Sequence, residues 1–254
     1  MKKIFTLISA ILVSASSLMA TTGGPDAFGY TFTDSDEPNG PTYAWIDISG
    51  TGVNSSASTC DDCHDFSNTL TFSFPYYGNT YTQVAINSNG TISFEDVYGG
   101  LGNISMPGTA NSNIMLAAYW DDLNPGSQGD IYFQDFGTYA VIQYENVVQF
   151  GGTDGDTWQI ILYDNGNILM QYAETSILST DGGGTTGIQG SDVVGLEYQY
   201  NATGALTDNL AILFSMPCVL PDLTTTTGPG MITANATGGN IVYQWIDCNG
   251  NMAI

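Results

Sequence analysis

The sequence has almost no positive charge. Its 254 residues include two Lys and Arg, Lys2 and Lys3, against 25 Asp and Glu, for a formal net charge of −23. Both lysines fall in "MKKIFTLISAILVSASSLMA", residues 1–20, which hold no acidic side chain. That stretch is built like a secretory signal peptide: a positive start, an apolar core over Ile4–Val13, then small residues ahead of a cleavage point after Ala20. Export takes the formal charge from −23 to −25 and leaves no basic side chain except His64. The carboxylates must then be solvated, accept hydrogen bonds from neutral donors, or hold a cation. Nucleic-acid binding loses its electrostatic basis, since phosphate contacts draw on Lys and Arg. Attraction to an anionic membrane surface fails for the same reason.

Long apolar runs are also missing. After residue 20 nothing approaches the roughly 18 uninterrupted apolar residues of a membrane-spanning helix, so no membrane insertion is expected. No sustained 3.6-residue stripe is present either, which argues against a helical architecture. Cysteine is scarce, at four residues, so disulfides can act only as local staples and the core must supply most of the stability.

What is abundant points to strands. Thr, Tyr, Val, Ile and Phe recur in short runs separated by Gly, Asn and Pro turn signals. The clearest element is "TWQIILYDNGNILMQY" (Thr157–Tyr172), two apolar runs around Asn165-Gly166, read as a hairpin with a two-residue type I′ turn. Further strands are expected at Phe28–Thr33, Thr42–Ile48, Thr69–Phe74, Tyr81–Ile86, Thr91–Phe94, Ile114–Trp120, Asp130–Gln134, Tyr139–Glu145, Val193–Tyr200 and Asn209–Phe214. The fold class expected is all-β, an antiparallel β-sandwich of the jelly-roll or immunoglobulin-like type, over residues 21–217. A boundary falls near "MPCVLPD" (Met216–Asp222). Residues 218–254 begin a second β pattern, with strands near Met231–Ala236 and Ile241–Ile246. Two strands are marginal alone, so the chain is expected to be a fragment with further domains of the same polypeptide beyond it.

"CDDCHD" (Cys60–Asp65) is the most loaded short motif. Cys60, Cys63 and His64 match the C-x-x-C-H attachment signature of a c-type haem. The flanks are polar, however, and offer no apolar pocket. Zinc would use the same three residues with Asp65 or a distant acid as fourth ligand. In an exported loop, a Cys60–Cys63 disulfide is the favoured expectation. "GGGTTG" (Gly182–Gly187) matches a dinucleotide fingerprint literally, but no helix follows, so it reads as a flexible connector.

Acid clusters are the other candidates. Asp34, Asp36 and Glu37 sit in "DSDEPNG", and Asp121, Asp122 and Asp130 in "YWDDLNPGSQGD". Calcium takes six to eight oxygens from flexible loops, so these six residues are candidate calcium ligands, with turn capping as the alternative, and no other cofactor is expected. No catalytic residue is assigned. His64 is already in the cysteine motif, no G-x-S-x-G elbow is present, and some pair of 25 acids will meet a glycosidase spacing by chance. Tyr76, Tyr77, Tyr119 and Trp120 could stack on sugars or pack a core. The ligand expected is an extracellular glycan or protein.

These segments resemble a known family. "GPDAFGYTFTDSDEPNGPTYAWIDISGTG" (Gly24–Gly52), "FSFPYYGNTYTQVAINSNGTISF" (Phe72–Phe94) and "AAYWDDLNPGSQGDIYFQ" (Ala117–Gln134) look like a secreted bacterial β-sandwich module. Such modules occur in large proteins exported by type IX secretion, and the segments are similar to the nidogen-like extracellular domain. "YAVIQYENV" (Tyr139–Val147) and the Thr157–Tyr172 hairpin fit the same pattern, so the resemblance covers Gly24–Ser215. The tail resembles the first half of an immunoglobulin-like repeat, which implies a partner for Cys248 further along the chain. The resemblance implies an accessory module with no catalytic residues, secreted or held at the cell surface, serving adhesion, ligand binding or spacing. An accessory part of a carbohydrate-active enzyme or protease is the alternative, and a c-type haem protein the remote one. The resemblance also implies an Asp-Asp turn at the place of Asp61-Asp62.

Overall fold

The computed structural model describes residues 21–176, 183–216, 226–228 and 231–233. The expected signal peptide, Cys218, Cys248 and the strand at Ile241–Ile246 lie outside the described residues. In chain order the strands are β1 (Thr22–Gly23), β2 (Thr31–Asp34), β3 (Val53–Asn54), β4 (His64–Tyr76), β5 (Asn79–Asn87), β6 (Thr91–Ser93) and β7 (Met115–Trp120). They continue as β8 (Asp130–Asp135), β9 (Tyr139–Val148), β10 (Gly155–Tyr163), β11 (Ile168–Glu174), β12 (Thr185–Ser191), β13 (Val194–Tyr200) and β14 (Ala211–Ser215). A separate short hairpin pairs Thr226–Gly228 with Met231–Thr233.

Two antiparallel sheets form a sandwich. One runs β1-β2-β14-β11-β10-β9-β8-β3 and the other β13-β12-β7-β6-β5-β4. Between them lies an aromatic-rich core that includes Phe74, Tyr76, Tyr144, Trp158, Tyr172 and Phe214. Tyr144 and Trp158 stack at 4.7 Å between ring centroids and 11° between planes. Burying a tyrosine strands its hydroxyl unless a partner is found. Tyr144 therefore donates across the sandwich to the carbonyl of Asn87 (2.7 Å), and Tyr172 to that of Ala118 (2.7 Å).

β7 and most of β10 are buried on both faces, which explains their continuous apolar runs. Each sheet has an outer cover. On the six-stranded sheet, Ile104 and Met106 pack over Met115, Ala117 and Trp120. On the eight-stranded sheet, the extended segment 43–48 crosses β9, β10 and β11 above Val141, Ile161 and Leu169. Gln143, Gln159 and Gln171 stand opposite one another in register on those strands and are fully buried. Their side-chain amides act as a surrogate strand edge. Ala44 donates its N–H to Gln171 Oε1 (2.5 Å) and accepts from Gln171 Nε2 (3.0 Å). Gln159, in the amide orientation that satisfies both its atoms, does the same for Ile46 at 3.1 Å each, and Ile48 N–H donates to Gln143 (2.9 Å).

Three expectations change here. Thr42–Ile48 is extended but is no ladder strand, because its partners are side chains. The Thr157–Tyr172 hairpin is present, yet its turn has three residues. Gly166 has a positive φ of 87° and Asn165 does not, while Gly166 N–H bonds Tyr163 C=O and Tyr163 N–H bonds Asn167 C=O. That is a type I turn followed by a glycine bulge, since type I′ would need positive φ at both central residues. Thr185–Gly187, read as part of a flexible connector, belongs to β12 and pairs with both β7 and β13.

Candidate functional site

Loops converge at one end of the sandwich around the cysteine motif. Segment 55–59 is fixed first. Ser58 accepts from Ile131 N–H (2.7 Å) and donates to Ile131 C=O (3.3 Å), which ties this short 3₁₀ turn (Ser56–Thr59) to β8. Asp65, at the start of β4, accepts from Ser55 Oγ, Ser56 N–H, Ser67 N–H and Ser67 Oγ. Burial pushes its carboxyl up, but these donors outweigh burial and hold its pKa at about 2.

Between these anchors Cys60 and Cys63 are disulfide-bonded, with Cα atoms 6.1 Å apart. With both sulfurs in one bond, neither is free for a haem thioether or for zinc. His64 Nε2 instead meets Asp96 Oδ1 at 2.9 Å. The disulfide closes a tight turn that presents Asp61 and Asp62.

Two further turns meet this one. In the β5–β6 turn, Ser88 exchanges hydrogen bonds with Cys63, and the fully buried Asn89 donates to Asp62 Oδ1 (3.0 Å) and to the Tyr98 hydroxyl. Gly90 makes the approach possible: its φ is +76°, and a Cβ there would lie 1.7 Å from the carbonyl oxygen of Tyr119. In the loop after β7, Leu123 N–H donates to Asn89 Oδ1 (2.8 Å), and Gly126 lies against the backbone of Cys60.

The outcome is a three-carboxylate group. Oxygens of Asp61, Asp62 and Asp122 all lie within 4.8 Å of one another. Asp62 Oδ1 also accepts from Tyr98 Oη (2.5 Å), while Asp61 Oδ1 is buried without a hydrogen-bond partner. Burial first, and then the neighbouring carboxylate of Asp62, raises the Asp61 pKa. Asp122 is raised by burial and by Asp62, Asp61 and Asp121. Carboxylates held this close repel, and proton uptake or a cation relieves the repulsion. The donor set is all oxygen, which suits a hard ion such as calcium and not a soft one.

Of the six acids singled out in the sequence, Asp122 alone belongs to this group. Asp121 is buried beside it, but its carboxylate is engaged by Gln149 Nε2 (2.8 Å), Asp122 N–H (2.8 Å) and Tyr119 Oη (3.3 Å). Asp34 is fully buried in β2 and accepts from Thr21, Asp36 N–H and Tyr198 Oη. Asp36 and Glu37 are not gathered with it into a metal-sized group, and Asp130 accepts from Asn54 Nδ2 (2.7 Å). Tyr119 and Trp120 are 1% and 2% exposed, which corrects the sugar-stacking alternative: they are core. Tyr98, which with Asn89 holds Asp62 in place, carried no sequence signal.

A family model described as NIDO-related matches residues 29–217, well over half of the chain. The chain belongs to the NIDO-related family. This NIDO-related module is also similar to alpha-tectorin of Homo sapiens and of Mus musculus, at 25% identity over 173 residues in each case. That similarity covers 56% of this chain and 8% of each alpha-tectorin, so the module spans a small part of those relatives. No solved structure matches it. The matched span contains the whole converging-loop end, from the cysteine turn to the loop after β7. No helix among the described residues is long and apolar enough to cross a membrane.

Proposed function

We propose that this chain is an exported, non-enzymatic module that serves adhesion, ligand binding or spacing within a larger bacterial cell-surface or secreted protein. The observation that carries the reading is the NIDO-related match over residues 29–217 in a chain whose first twenty residues read as a signal peptide. Type IX secretion and an immunoglobulin-like repeat from residue 218 onward complete the reading. The test is an epitope-tagged chain expressed in its host. It is expected to be cleaved after Ala20 and to be accessible to protease on intact cells. Retention inside the cell, or hydrolytic turnover of glycans or peptides by the purified chain, would overturn the proposal.

A second reading is favoured by the Asp61–Asp62–Asp122 group: a calcium ion stiffens this end of the sandwich. An ion there would offset the burial and the mutual repulsion that raise Asp61 and Asp122, with backbone carbonyls and water supplying the remaining oxygens that calcium needs. Millimolar calcium is expected to raise the melting temperature, and Asp62→Asn with Asp122→Asn to abolish that rise. A melting temperature indifferent to calcium, or the same rise in the double variant, rules the site out.

A further inference from the structure

The two sheets are closed differently at their four edges. An open strand edge presents unpaired N–H and C=O groups and is a template for another strand, so folds shorten, plug or cover it. The eight-stranded sheet ends in β1 and β3, which have two residues each. Beside β3, the main chain of Ile131 is closed by Ser55 and Ser58. The six-stranded sheet ends in two longer strands, β4 and β13. β4 is plugged: Asp135, from β8 of the facing sheet, accepts from Thr71 N–H (2.6 Å) and from Thr71 Oγ1 (2.8 Å).

β13 has no such closure. Its seven residues pair with β12 along one side. Among the described residues, no side chain or loop from outside β12 bonds its main chain along the other side. The strand contains no proline to blunt it. A second observation points to the same place. Val193 and Tyr200, at the two ends of this edge, are 76% and 42% exposed, among the few large apolar side chains left open in the described residues. An extended main chain laid along β13 would supply the missing hydrogen bonds and cover both side chains. Charge decides whose main chain it is. A second copy would set two chains side by side, each with 25 Asp and Glu and no Lys or Arg after residue 20, and they would repel. A neutral or basic segment meets no such repulsion. We propose that β13 takes on a strand from a neutral-to-basic partner protein, which extends the six-stranded sheet. This inference rests on the reading of the chain as an extracellular binding module and names the surface and the kind of partner.

The test uses the purified full chain and a fluorescent peptide of about eight residues, alternating Thr and Val with one Lys at each end, at about 150 mM salt, where long-range attraction is screened. Its fully N-methylated analogue keeps the charge and side chains but has no main-chain donors. The first peptide is expected to bind, and the analogue roughly tenfold more weakly or not at all. Val193→Ser with Tyr200→Ser alters two exposed positions and is expected to weaken binding about tenfold. In hydrogen exchange, alternate amides of β13 should exchange fast in the free chain and slow by roughly tenfold or more with saturating peptide, while those of β4 keep their rates. Equal binding of the two peptides would show that charge or side chains and not the edge hold them, and would overturn the inference. So would no binding, or slowed exchange in β4 instead of β13. Slow exchange of every β13 amide in the free chain would also overturn it: in a monomer the chain's own residues cover the edge, and in a dimer that Val193→Ser with Tyr200→Ser dissociates, a second copy does. Cleavage after Ala20 and protease accessibility on intact cells are scored separately, so failure of the edge and failure of the export reading give different results.

Discussion

Asp65 shows how a chain without basic residues stabilises buried carboxylates. It is 8% exposed and lies under the cysteine turn, where a free charge would be costly. Four donors from Ser55, Ser56 and Ser67 replace the missing cation. Its pKa falls from 3.8 to about 2. A carboxyl depressed in the folded state contributes stability that is present above its unfolded pKa and lost as pH falls through the folded one. Asp65→Asn is therefore expected to destabilise the protein by about 2 kcal/mol near neutral pH. The gap to wild type should narrow as pH falls from about 4 to about 2. Urea unfolding of both proteins across that range checks it, and a gap that does not vary with pH would refute the assignment. Little of this was legible in the sequence: Asp65 stood out there as a spare zinc ligand, and its serine partners carried no motif. Asp61 and Asp62 were legible only through family resemblance, and Tyr119 and Trp120 read ambiguously because an aromatic pair at a strand end looks alike in a core and at a binding surface.

Elements were easier to read than their partners. Alternating and apolar runs marked most ladder strands, because burial of one or both faces writes a period into the sequence. Segment 43–48 has the same period but pairs with side chains, and no local pattern distinguishes the two cases. The glutamine row became visible only when the register aligned three residues from different strands. Gln159→Leu would leave the N–H and C=O of Ile46 without partners beneath a cover, at a cost of about 2–4 kcal/mol. Hydrogen exchange separates this from a general loss of stability: the Ile46 amide should exchange faster while that of Ile160 in β10 keeps its protection. Unchanged protection at Ile46 would show that the row does not hold the cover. The cysteine turn is a second such element. Closing so short a loop restricts the unfolded chain modestly, so Cys60→Ser with Cys63→Ser is expected to cost about 2 kcal/mol. The pair also frames Asp61 and Asp62, and the double variant should therefore weaken any calcium-induced rise in melting temperature. A full rise without the disulfide would mean that Ser88 and Asn89 suffice to hold the turn.

At the scale of the whole molecule, composition decides how the module responds to salt. Most proteins carry attractive and repulsive charge pairs together, and screening weakens both. Here the described residues contain no Lys or Arg, and the one contact between an imidazole and a carboxylate, His64–Asp96, has its aspartate largely exposed. Screening therefore has little attraction to remove and a broad self-repulsion to relieve. Folding brings the carboxylates closer than they lie in the unfolded chain, so added salt lowers the free energy of the folded state more. The melting temperature at pH 7 is expected to climb as sodium chloride rises from about 10 mM to about 500 mM, where the screening length shrinks several-fold. Calcium compared at matched ionic strength should add a further rise if Asp61, Asp62 and Asp122 bind it, and none if screening alone acts. A melting temperature that stays flat or falls with sodium chloride would mean that hydrogen bonds such as those at Asp34 and Asp65, rather than screening by solvent ions, already absorb the repulsion.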